Sequence, residues 1–358
     1  MAKRFIAVDP GKFSTKVAEY DLKKDGIKKF QIRTKASPGD FRDDAIEANT
    51  VIAEIDGNCY KIGNGARGEG ASLDTNKMSE IHKICALTAL AASASSNEVD
   101  DFYVAVGLPA KDWANVSKRM DYKEYILPVG EITVPFKKNS TSPVQDKKFN
   151  IKKVFVYPES IGALFADETI FDISPTSITG VLDIGNLNLN ATLWQGTEFI
   201  EDKSSTAELG GAILIQELSQ EISSNICSCD ELITANILKL PPNDRHLPDN
   251  LNLDSDKVEQ SRALIKKVLK DHAEKIKRCC RARNWSLDVT KIVAIGGTSK
   301  DIEDELKEVF GNIVTLTDPT FCNAFGYLRM MCSQIPEISK VISLTDVSAM
   351  KNQESKAS

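Results

Sequence analysis

The pattern of apolar and polar positions in the first twenty residues predicts a β-hairpin. Residues 4–8 are predicted as a strand with the apolar run Phe5–Val8, Asp9-Pro-Gly-Lys12 has the composition of a tight turn, and residues 14–20 continue as a second strand. The glycine-rich loops of P-loop and dinucleotide-binding proteins lead into a helix instead, and no GxxxxGK[ST] or GxGxxG motif stands at this point. The hairpin therefore argues against both of those folds.

The same pattern starts again after Pro175. Residues 180–185 (Gly-Val-Leu-Asp-Ile-Gly) form an apolar strand that ends in Asp-x-Gly, and residues 189–194 form a return strand. The N-terminal copy of this pattern is Ile6-Ala-Val-Asp-Pro-Gly11. Because the two copies lie about half a chain apart, we expect two homologous halves that face one cleft.

Helices and strands alternate through the rest of the chain, which indicates the α/β class. Strands are predicted over residues 48–55, 58–62, 101–106 and 291–295, with a second hairpin over 129–153. Helices are predicted over residues 76–93, 158–166, 207–226, 255–283, 301–310 and 323–332. Residues 349–358 are polar and predict a frayed tail.

Length and composition are those of a globular protein with two domains. The chain has 358 residues, and a domain takes roughly 100–200. A hydrophobic content of 42% with 27% charged residues of mixed sign argues against disorder. The net charge of -6 argues against direct binding to nucleic acid, which needs a basic face. The longest apolar stretch, residues 84–94, is too short to cross a bilayer, and no secretory signal is evident. We therefore expect a cytoplasmic protein that binds neither nucleic acid nor membrane.

The eight cysteines carry no clear metal-binding pattern. Cys227-Ser-Cys229 and Cys279-Cys280 could form metal pairs, but both lack the longer spacer of a zinc knuckle. We interpret the cysteines as reduced structural thiols.

Three strand ends, residues 9–11, 183–185 and 295–297, suit the chemistry of a nucleoside triphosphate. Glycine lets backbone N–H groups approach phosphate oxygens closely, and an aspartate at a strand end can hold Mg²⁺ through its water shell. Lys16 can place a compact positive charge on the β- and γ-phosphates. Each strand end alone is typical of an ordinary tight turn, and Lys16 alone of a solvated lysine, but the order and spacing of all three are far more specific.

Over residues 4–332 the chain resembles the ATPase superfamily of actin, Hsp70 and the sugar kinases. Its two phosphate motifs are matched by Asp9-Pro-Gly-Lys-Phe-Ser-Thr-Lys16 and Leu182-Asp-Ile-Gly185, and its adenosine motif by Ile295-Gly-Gly-Thr-Ser-Lys300. The two connecting helices are matched by residues 158–166 and 323–326.

Three details resemble the ParM-type actins that segregate bacterial plasmids. Val106-Gly-Leu-Pro-Ala-Lys-Asp-Trp113 is similar to a Leu-Pro motif of that group, and Val156-Tyr-Pro-Glu-Ser160 is similar to its first connecting helix. The chain is also too short for the large insertions of Hsp70 and many sugar kinases.

The resemblance implies an actin-like (ribonuclease H-like) fold of duplicated domains, with two mixed five-stranded sheets flanked by helices around a nucleotide cleft. Domain I would take residues 1–172 and 322–348, with a small subdomain at about 30–75. Domain II would take residues 173–321, followed by the tail at 349–358.

The resemblance also implies a role for each motif residue. Catalysis would fall to Glu159, which would orient or deprotonate the attacking water, and to Asp183, which would help to hold that water. Mg²⁺ would be held by Asp9 and Asp183 through water. The nucleotide would be contacted by Gly11, Lys12, Lys16 and Gly185 at the phosphates, by Glu208, Gly210 and Gly211 near the ribose, and by Gly296 and Gly297 at the base.

Alternatives stay open for two of these residues, and one motif departs from the family pattern. Glu159 could instead be a carboxylate at a helix N-terminus that interacts favourably with the helix dipole and has no catalytic role. Lys12 could instead be a solvated lysine in a turn. In the second phosphate loop, Asn186 and Leu187 replace the small residues usual in the family. Because these larger side chains leave less room for the backbone to approach a γ-phosphate, the sequence does not determine the rate of hydrolysis or the choice between ATP and GTP.

The function implied is that of a filament-forming protein. The subunit would bind ATP, or GTP, with Mg²⁺, polymerise head to tail with itself, and hydrolyse the nucleotide in the polymer. A separate DNA-binding adaptor protein on a plasmid centromere would supply the cargo, which suits an acidic chain. The alternative is a small-molecule kinase or another non-polymerising ATPase of the same superfamily. A kinase needs an acid or base that binds its substrate, and Asp112 or Asp121 could take that role, although no kinase-type motif surrounds either residue. A morphogenetic or chaperone-like relative is a third possibility.

Overall fold

The computed structural model describes residues 2–22, 26–43, 46–68, 70, 77–95, 98–167, 170, 174–248, 255–288, 290–335 and 338. The chain divides into two compact units, each built around its own mixed sheet. Unit 1 comprises Met1–Phe171 and Phe321–Ser358, and unit 2 comprises Asp172–Thr320.

The strands of unit 1 are β1 (Lys3–Pro10), β2 (Ser14–Asp21), β3 (Gly26–Arg33), β4 (Ala36–Pro38), β5 (Thr50–Ile55), β6 (Asn58–Gly63), β7 (Asp100–Leu108), β8 (Gly130–Lys137) and β9 (Gln145–Pro158). Those of unit 2 are β10 (Ile178–Ile184), β11 (Leu189–Gln195), β12 (Glu198–Ala207), β13 (Lys291–Ile295) and β14 (Ile313–Thr315). The helices are α1 (Glu80–Ser93), α2 (Ala110–Ala114), α3 (Val116–Ile126), α4 (Ile161–Ala166), α5 (Gly211–Asn225), α6 (Glu231–Leu238), α7 (Ser255–Ala282), α8 (Gly297–Asp301), α9 (Glu303–Phe310) and α10 (Cys322–Ser333).

The sheet of unit 1 has the order β3-β2-β1-β7-β9-β8-β5-β6-β4 among the described residues. The predicted count of five strands is therefore wrong for this unit, which has nine. The first five strands in that order make the expected layer, with β1, β7 and β9 parallel to each other. The hairpin of β8 and β9 then extends the layer, and β5 joins β8 through Ile52 opposite Lys137 and Ala53 opposite Phe136. This short ladder links the small strands 36–63 to the main sheet.

The sheet of unit 2 has the order β12-β11-β10-β13-β14, so the prediction of five strands is confirmed here. The long helix predicted over 255–283 is confirmed as α7, whose apolar side packs into the core with α5 and α9. The helix predicted from residue 207 begins only at Gly211, because residues 198–207 pair with β11 as the strand β12. Glu208 to Gly210 form the turn between them.

The segment that leads into α4 also differs from the prediction of a helix over 158–166. Strand β9 runs to Pro158, which lies opposite Leu108 of β7, and α4 begins only at Ile161. Glu159 and Ser160 therefore lie in the turn between strand and helix. The β9 ladder to β7 extends this far because both strands are buried and parallel at this end.

Helices α4 and α10 cross at two glycines in unit 1. A Cβ atom on Gly326 would lie 2.0 Å from the carbonyl oxygen of Gly162, and one on Gly162 would lie 2.7 Å from the Cα of Asn323. Only glycine allows the two backbones to approach this closely. The crossing holds α10 against α4 next to the turn that carries Glu159.

Within the residues that the structure describes, no helix combines the length and the apolar character that crossing a bilayer requires.

Candidate functional site

The end of strand β1 carries an ion pair across the N-terminal hairpin. Asp9 on β1 lies opposite Lys16 on β2, and the lysine Nζ is 3.3 Å from Asp9 Oδ2. The Asp9 residue is 5% exposed. The hairpin register therefore explains the spacing between aspartate and lysine, because an antiparallel pair sets opposite residues side by side on one face.

Gly11 occupies a turn too tight for a side chain. Its N–H donates to the carbonyl of Asp9 at 2.8 Å, and its own carbonyl accepts from Thr34 Oγ1 at 2.6 Å. A Cβ atom at this position would lie 2.7 Å from both Lys16 Nζ and the carbonyl oxygen of Ser14. Glycine thus makes room for the lysine head group. Lys12 follows in the same turn and is half-buried.

Glu159 forms a buried ion pair with Lys77, a residue that the sequence analysis missed. Lys77 Nζ lies 2.8 Å from Glu159 Oε1, and the two side chains are 7% and 9% exposed. The same ammonium donates to the carbonyl oxygen of Pro10 at 2.5 Å. Lys77 therefore joins Glu159 to the turn that follows Asp9. A single lysine outside any motif gives no signal in the sequence that could have identified it.

The backbone around Glu159 is held on both sides. Its N–H donates to the carbonyl of Leu108 at 2.7 Å, and the next N–H, that of Ser160, donates to Asn323 Oδ1 at 3.1 Å. Ser160 has φ +73°, in the left-handed region that a non-glycine residue adopts at a cost of about 1–3 kcal/mol. The surrounding contacts keep this strained turn in place and so fix the position from which Glu159 projects.

Tyr122 on α3 lies within electrostatic reach of the same group of residues. Its ring is fully buried, and its hydroxyl donates to the carbonyl of Gly107 at 3.1 Å. Burial raises the pKa of Tyr122 well above its usual value, and the negative charges of Glu159 and Asp9 raise it further. The phenol therefore stays protonated as a hydrogen-bond donor. In unit 1, the structure thus brings the predicted residues Asp9 and Glu159 into one neighbourhood.

In unit 2, two of the predicted strand ends meet at one edge of the sheet. Asp183 on β10 lies opposite Ile295 on the parallel strand β13, so the glycines after β13 follow directly beside the aspartate. Gly296 has φ +88°, and a Cβ atom there would lie 2.4 Å from the carbonyl oxygen of Ile184 and 2.8 Å from Asp183 Oδ1. This position requires glycine, because any side chain would enter the space of the carboxylate.

The loop after β10 is held by the first turn of α5 and by α8. The carbonyls of residues 185–187 accept hydrogen bonds of 2.7–3.1 Å from the N–H groups of Gly211, Ala212 and Gly210 in turn. Thr298 Oγ1 donates a further bond to the carbonyl of Gly185 at 2.9 Å. The carbonyls of the unusual segment Asn186-Leu187 thus turn toward the helix, and the loop is rigidly placed beside Asp183.

The glycines of unit 2 fall into two groups. Gly210 and Gly211 are required by packing, since a Cβ atom would lie 2.3 Å from the Leu187 carbonyl carbon and 2.5 Å from Thr298 Oγ1 respectively. By contrast, among the described residues a Cβ atom on Gly185 meets nothing closer than 3.4 Å, and one on Gly297 nothing closer than 4.0 Å. Bare backbone beside open space is what a phosphate group or a flat base needs for close approach, so these residues fit a nucleotide.

Glu208, predicted near the ribose, is exposed in the turn before α5. The carbonyl of the next residue, Leu209, lies 3.3 Å from Nε2 of the fully buried His272 on α7. Burial lowers the pKa of His272, against the opposing charge of Glu217. The histidine thus ties α7 to this turn as a neutral ring, a contact that the sequence analysis did not anticipate.

No cluster of three or more His, Cys, Asp or Glu side chains arranged for a metal ion occurs in the described part of the chain. The two predicted metal residues, Asp9 and Asp183, each offer one carboxylate from a different unit. A Mg²⁺ ion that keeps several waters and binds substrate phosphates needs no more than one or two carboxylates, so the carboxylate of either residue, taken within its own unit, has chemistry that fits the ion. The cysteines are free thiols, and burial raises the pKa of Cys85, Cys280 and Cys332 to about 12.

Comparison with known proteins gives a family-model match to part of the chain and a shared fold over most of it. Residues 7–162 match the family model described as the N-terminal domain of actin-like proteins. No curated protein sequence matches the chain.

Solved structures of low sequence identity share the fold. The Alp12 filament structure has a TM-score of 0.69 and 20% identity, over 93% of this chain and 99% of the other. Ta0583, an archaeal actin homologue, has a TM-score of 0.73 and 19% sequence identity, over 94% of this chain and 100% of its own. A further structure of Ta0583 is a complex with ADP. The 15-stranded ParM filament from Clostridium botulinum has a TM-score of 0.67 and 18% sequence identity, over 92% of this chain and 99% of the other.

Proposed function

We propose that this chain, which has the actin-like fold and carries the N-terminal domain of the actin-like proteins, is a nucleotide-dependent filament protein. In this proposal the subunit binds ATP, or GTP, with Mg²⁺, assembles head to tail with further copies of itself, and hydrolyses the nucleotide. Its biological task is to move plasmid DNA through a DNA-binding adaptor protein.

The observation that carries the proposal is the chemistry of the two strand ends. In unit 1, Asp9 and Lys16 stand as a pair beside the Gly11 turn, and in unit 2 Asp183 stands beside the open backbone of Gly185 and Gly297. A carboxylate for hydrated Mg²⁺, a lysine for phosphate oxygens and bare glycine backbone are the parts that phosphoryl transfer requires. An actin-like fold with this set of residues supports nucleotide binding better than any other function.

Each group would have a defined task. The Lys16 ammonium, which pairs with Asp9 in the structure, would contact phosphate oxygens when the nucleotide binds. Asp9 and Asp183 would accept hydrogen bonds from the water shell of Mg²⁺. When bound, the ion would neutralise charge on the phosphates. The Glu159 carboxylate would accept a hydrogen bond from the attacking water and orient it, and Gly296 and Gly297 would lie along the base.

Two observations support self-assembly and the adaptor. Alp12 and the Clostridium botulinum ParM were solved as filaments, and their fold is the fold of this chain. Head-to-tail contacts build such an open filament when the rotation from one subunit to the next does not close into a ring. The net charge of -6 disfavours direct contact with DNA, so cargo would be reached through a separate basic protein.

Light scattering, pelleting and phosphate release on one sample test this proposal. With Mg²⁺ and ATP or GTP, scattering and pelleted protein should rise within minutes and phosphate should follow, while ADP, or the triphosphate with a chelator, should leave the protein in the supernatant. Scattering that is the same without nucleotide contradicts nucleotide-dependent assembly. Phosphate release with no polymer under any condition favours the non-polymerising ATPase instead.

A further inference from the structure

We infer that Lys77 is a positioning residue that holds the Glu159 carboxylate in register with the phosphate-binding turn at residues 9–11. This inference rests on the proposed function, because it assigns Lys77 a part in the same nucleotide hydrolysis. It goes beyond the resemblance to known ATPases, whose motifs in this chain do not include residue 77.

The lysine head group contacts two elements of the site at once. Lys77 Nζ lies 2.8 Å from Glu159 Oε1 and donates to the Pro10 carbonyl at 2.5 Å. Pro10 stands between Asp9 and Gly11, so one ammonium contacts both the turn and the carboxylate. A shift of the turn when phosphate binds would therefore be transmitted directly to Glu159.

The other contacts of Glu159 leave one feature of its side chain undetermined. Hydrogen bonds to Leu108 and Asn323 fix the backbone on both sides of Glu159, and the left-handed turn at Ser160 fixes the direction of its side chain. The rotation of the carboxylate remains to be set, and Lys77 sets it by pairing with Oε1. Oε2 is then the oxygen that this arrangement leaves to a water molecule.

Burial distinguishes the pair of Lys77 and Glu159 from ion pairs at the surface. Both side chains are less than 10% exposed, whereas the side chains of Lys83 and Asp56, an ion pair at the surface of the same unit, are 23% and 67% exposed. An exposed pair contributes little and moves freely, but a buried pair has one geometry. A displacement of about 1 Å in an orienting group can slow a reaction by roughly a hundredfold, so a fixed carboxylate matters for turnover.

The test compares Lys77→Met and Lys77→Gln with Lys77→Arg, and uses Lys83→Met as the matched control on an exposed pair. Nucleotide affinity is measured by calorimetry with a non-hydrolysable ATP analogue and Mg²⁺, and phosphate release is measured in a single turnover at saturating ATP. We expect Lys77→Met and Lys77→Gln to slow release by about 10- to 100-fold while the dissociation constant changes less than about threefold. Lys77→Arg should recover most of the rate, and Lys83→Met should match the wild type.

A double-variant cycle tests whether Lys77 acts through Glu159. Glu159→Gln should slow release, and adding Lys77→Gln to it should slow release by less than about twofold more, because the positioned group is already lost. Lys77→Gln keeps a donor for Pro10 and is the variant to use if Lys77→Met does not fold.

Two results overturn the inference. The first is equal release by Lys77→Gln and Lys83→Met, or effects of Lys77→Gln and Glu159→Gln that multiply. The second is a large loss of nucleotide affinity in Lys77→Gln, which would make Lys77 a direct phosphate ligand. If the wild type itself neither binds nucleotide nor releases phosphate, the proposed function fails and this inference fails with it, whereas an active wild type with an indifferent Lys77 refutes the inference alone.

Discussion

Replacing Glu159 with alanine should destabilise unit 1 far more than the loss of a surface charge would. The substitution removes the carboxylate that the 7%-exposed Lys77 side chain contacts. Removing one partner of a buried ion pair costs roughly 3–5 kcal/mol, because the remaining charge is desolvated without compensation. If Glu159 were only a carboxylate near a helix N-terminus, the cost would be about 0.3–1 kcal/mol.

These two expected losses of stability differ enough for thermal unfolding to distinguish a buried ion pair from a carboxylate that only interacts with the helix dipole. A loss of 1 kcal/mol lowers the melting temperature by about 2–4 °C in a unit of this size, so Glu159→Ala should melt roughly 6–20 °C below the wild type. Lys83→Ala, which breaks the exposed pair with Asp56, should shift melting by only a few degrees. The variant Glu159→Ala with Lys77→Met should recover most of the loss, since apolar groups can replace a buried pair at little net cost.

Melting is followed by far-UV circular dichroism at neutral pH without nucleotide, so that ligand binding does not enter the comparison. A melting temperature for Glu159→Ala that equals that of Lys83→Ala would refute the reasoning. So would a double variant that is less stable than Glu159→Ala alone.

Three further predictions concern binding, packing and pH. Lys16→Ala and Asp183→Ala should each weaken Mg-ATP binding by about 10- to 100-fold in calorimetry, because a charge-assisted contact contributes roughly 1.5–3 kcal/mol. Gly326→Ala should lower the free energy of unfolding by about 1–3 kcal/mol in urea titrations, because its Cβ would lie 2.0 Å from the Gly162 carbonyl oxygen. Burial raises the pKa of Asp301 to about 6, so its charge opposes folding fully above pH 6, and the penalty disappears as pH falls toward the usual aspartate range. Asp301→Asn should therefore stabilise the protein at pH 7.5 by on the order of 1–3 kcal/mol, and by much less at pH 4.5.

Each of these predictions has a control. Lys118, which pairs with Asp112 on the surface, gives the matched substitution for Lys16, and wild-type affinity in both binding variants would remove the two phosphate loops from the proposal. Gly311→Ala also replaces a glycine, but its Cβ meets nothing within 4 Å, so only its φ of +79° is strained. For Asp301, a stability difference from wild type that is the same at both pH values contradicts the role of burial.

Local patterns in the sequence were enough to predict the elements around the site. The N-terminal hairpin, the strand β10 with its return strand, and the helix α7 follow from period-two or period-3.6 alternation and from turn residues, which act over a few neighbours. The hairpin also brings Asp9 beside Lys16, because the register across one tight turn is a local property. The actin-like fold could be predicted because these local motifs recur in a set order.

Tertiary structure alone decided the contacts between distant segments. The pairing of β5 with β8 joined β5, β6 and β4 to the main sheet, and these strands account for three of the four beyond the expected five. Because Ile52 pairs with Lys137, far along the chain, no alternation within the segment of β5 itself reveals this partner.

The environment of Glu159 is the clearest case of this difference. Its place in a Pro-Glu-Ser motif could be found in the sequence, but its partner Lys77 comes from a segment of the chain before α1, and its backbone is held by Asn323 from α10. Residue type and spacing determine what a short segment can form. Which charge lies beside a buried carboxylate is decided by how the parallel strands and the helices that connect them bring separate segments together, and burial then makes that contact strong.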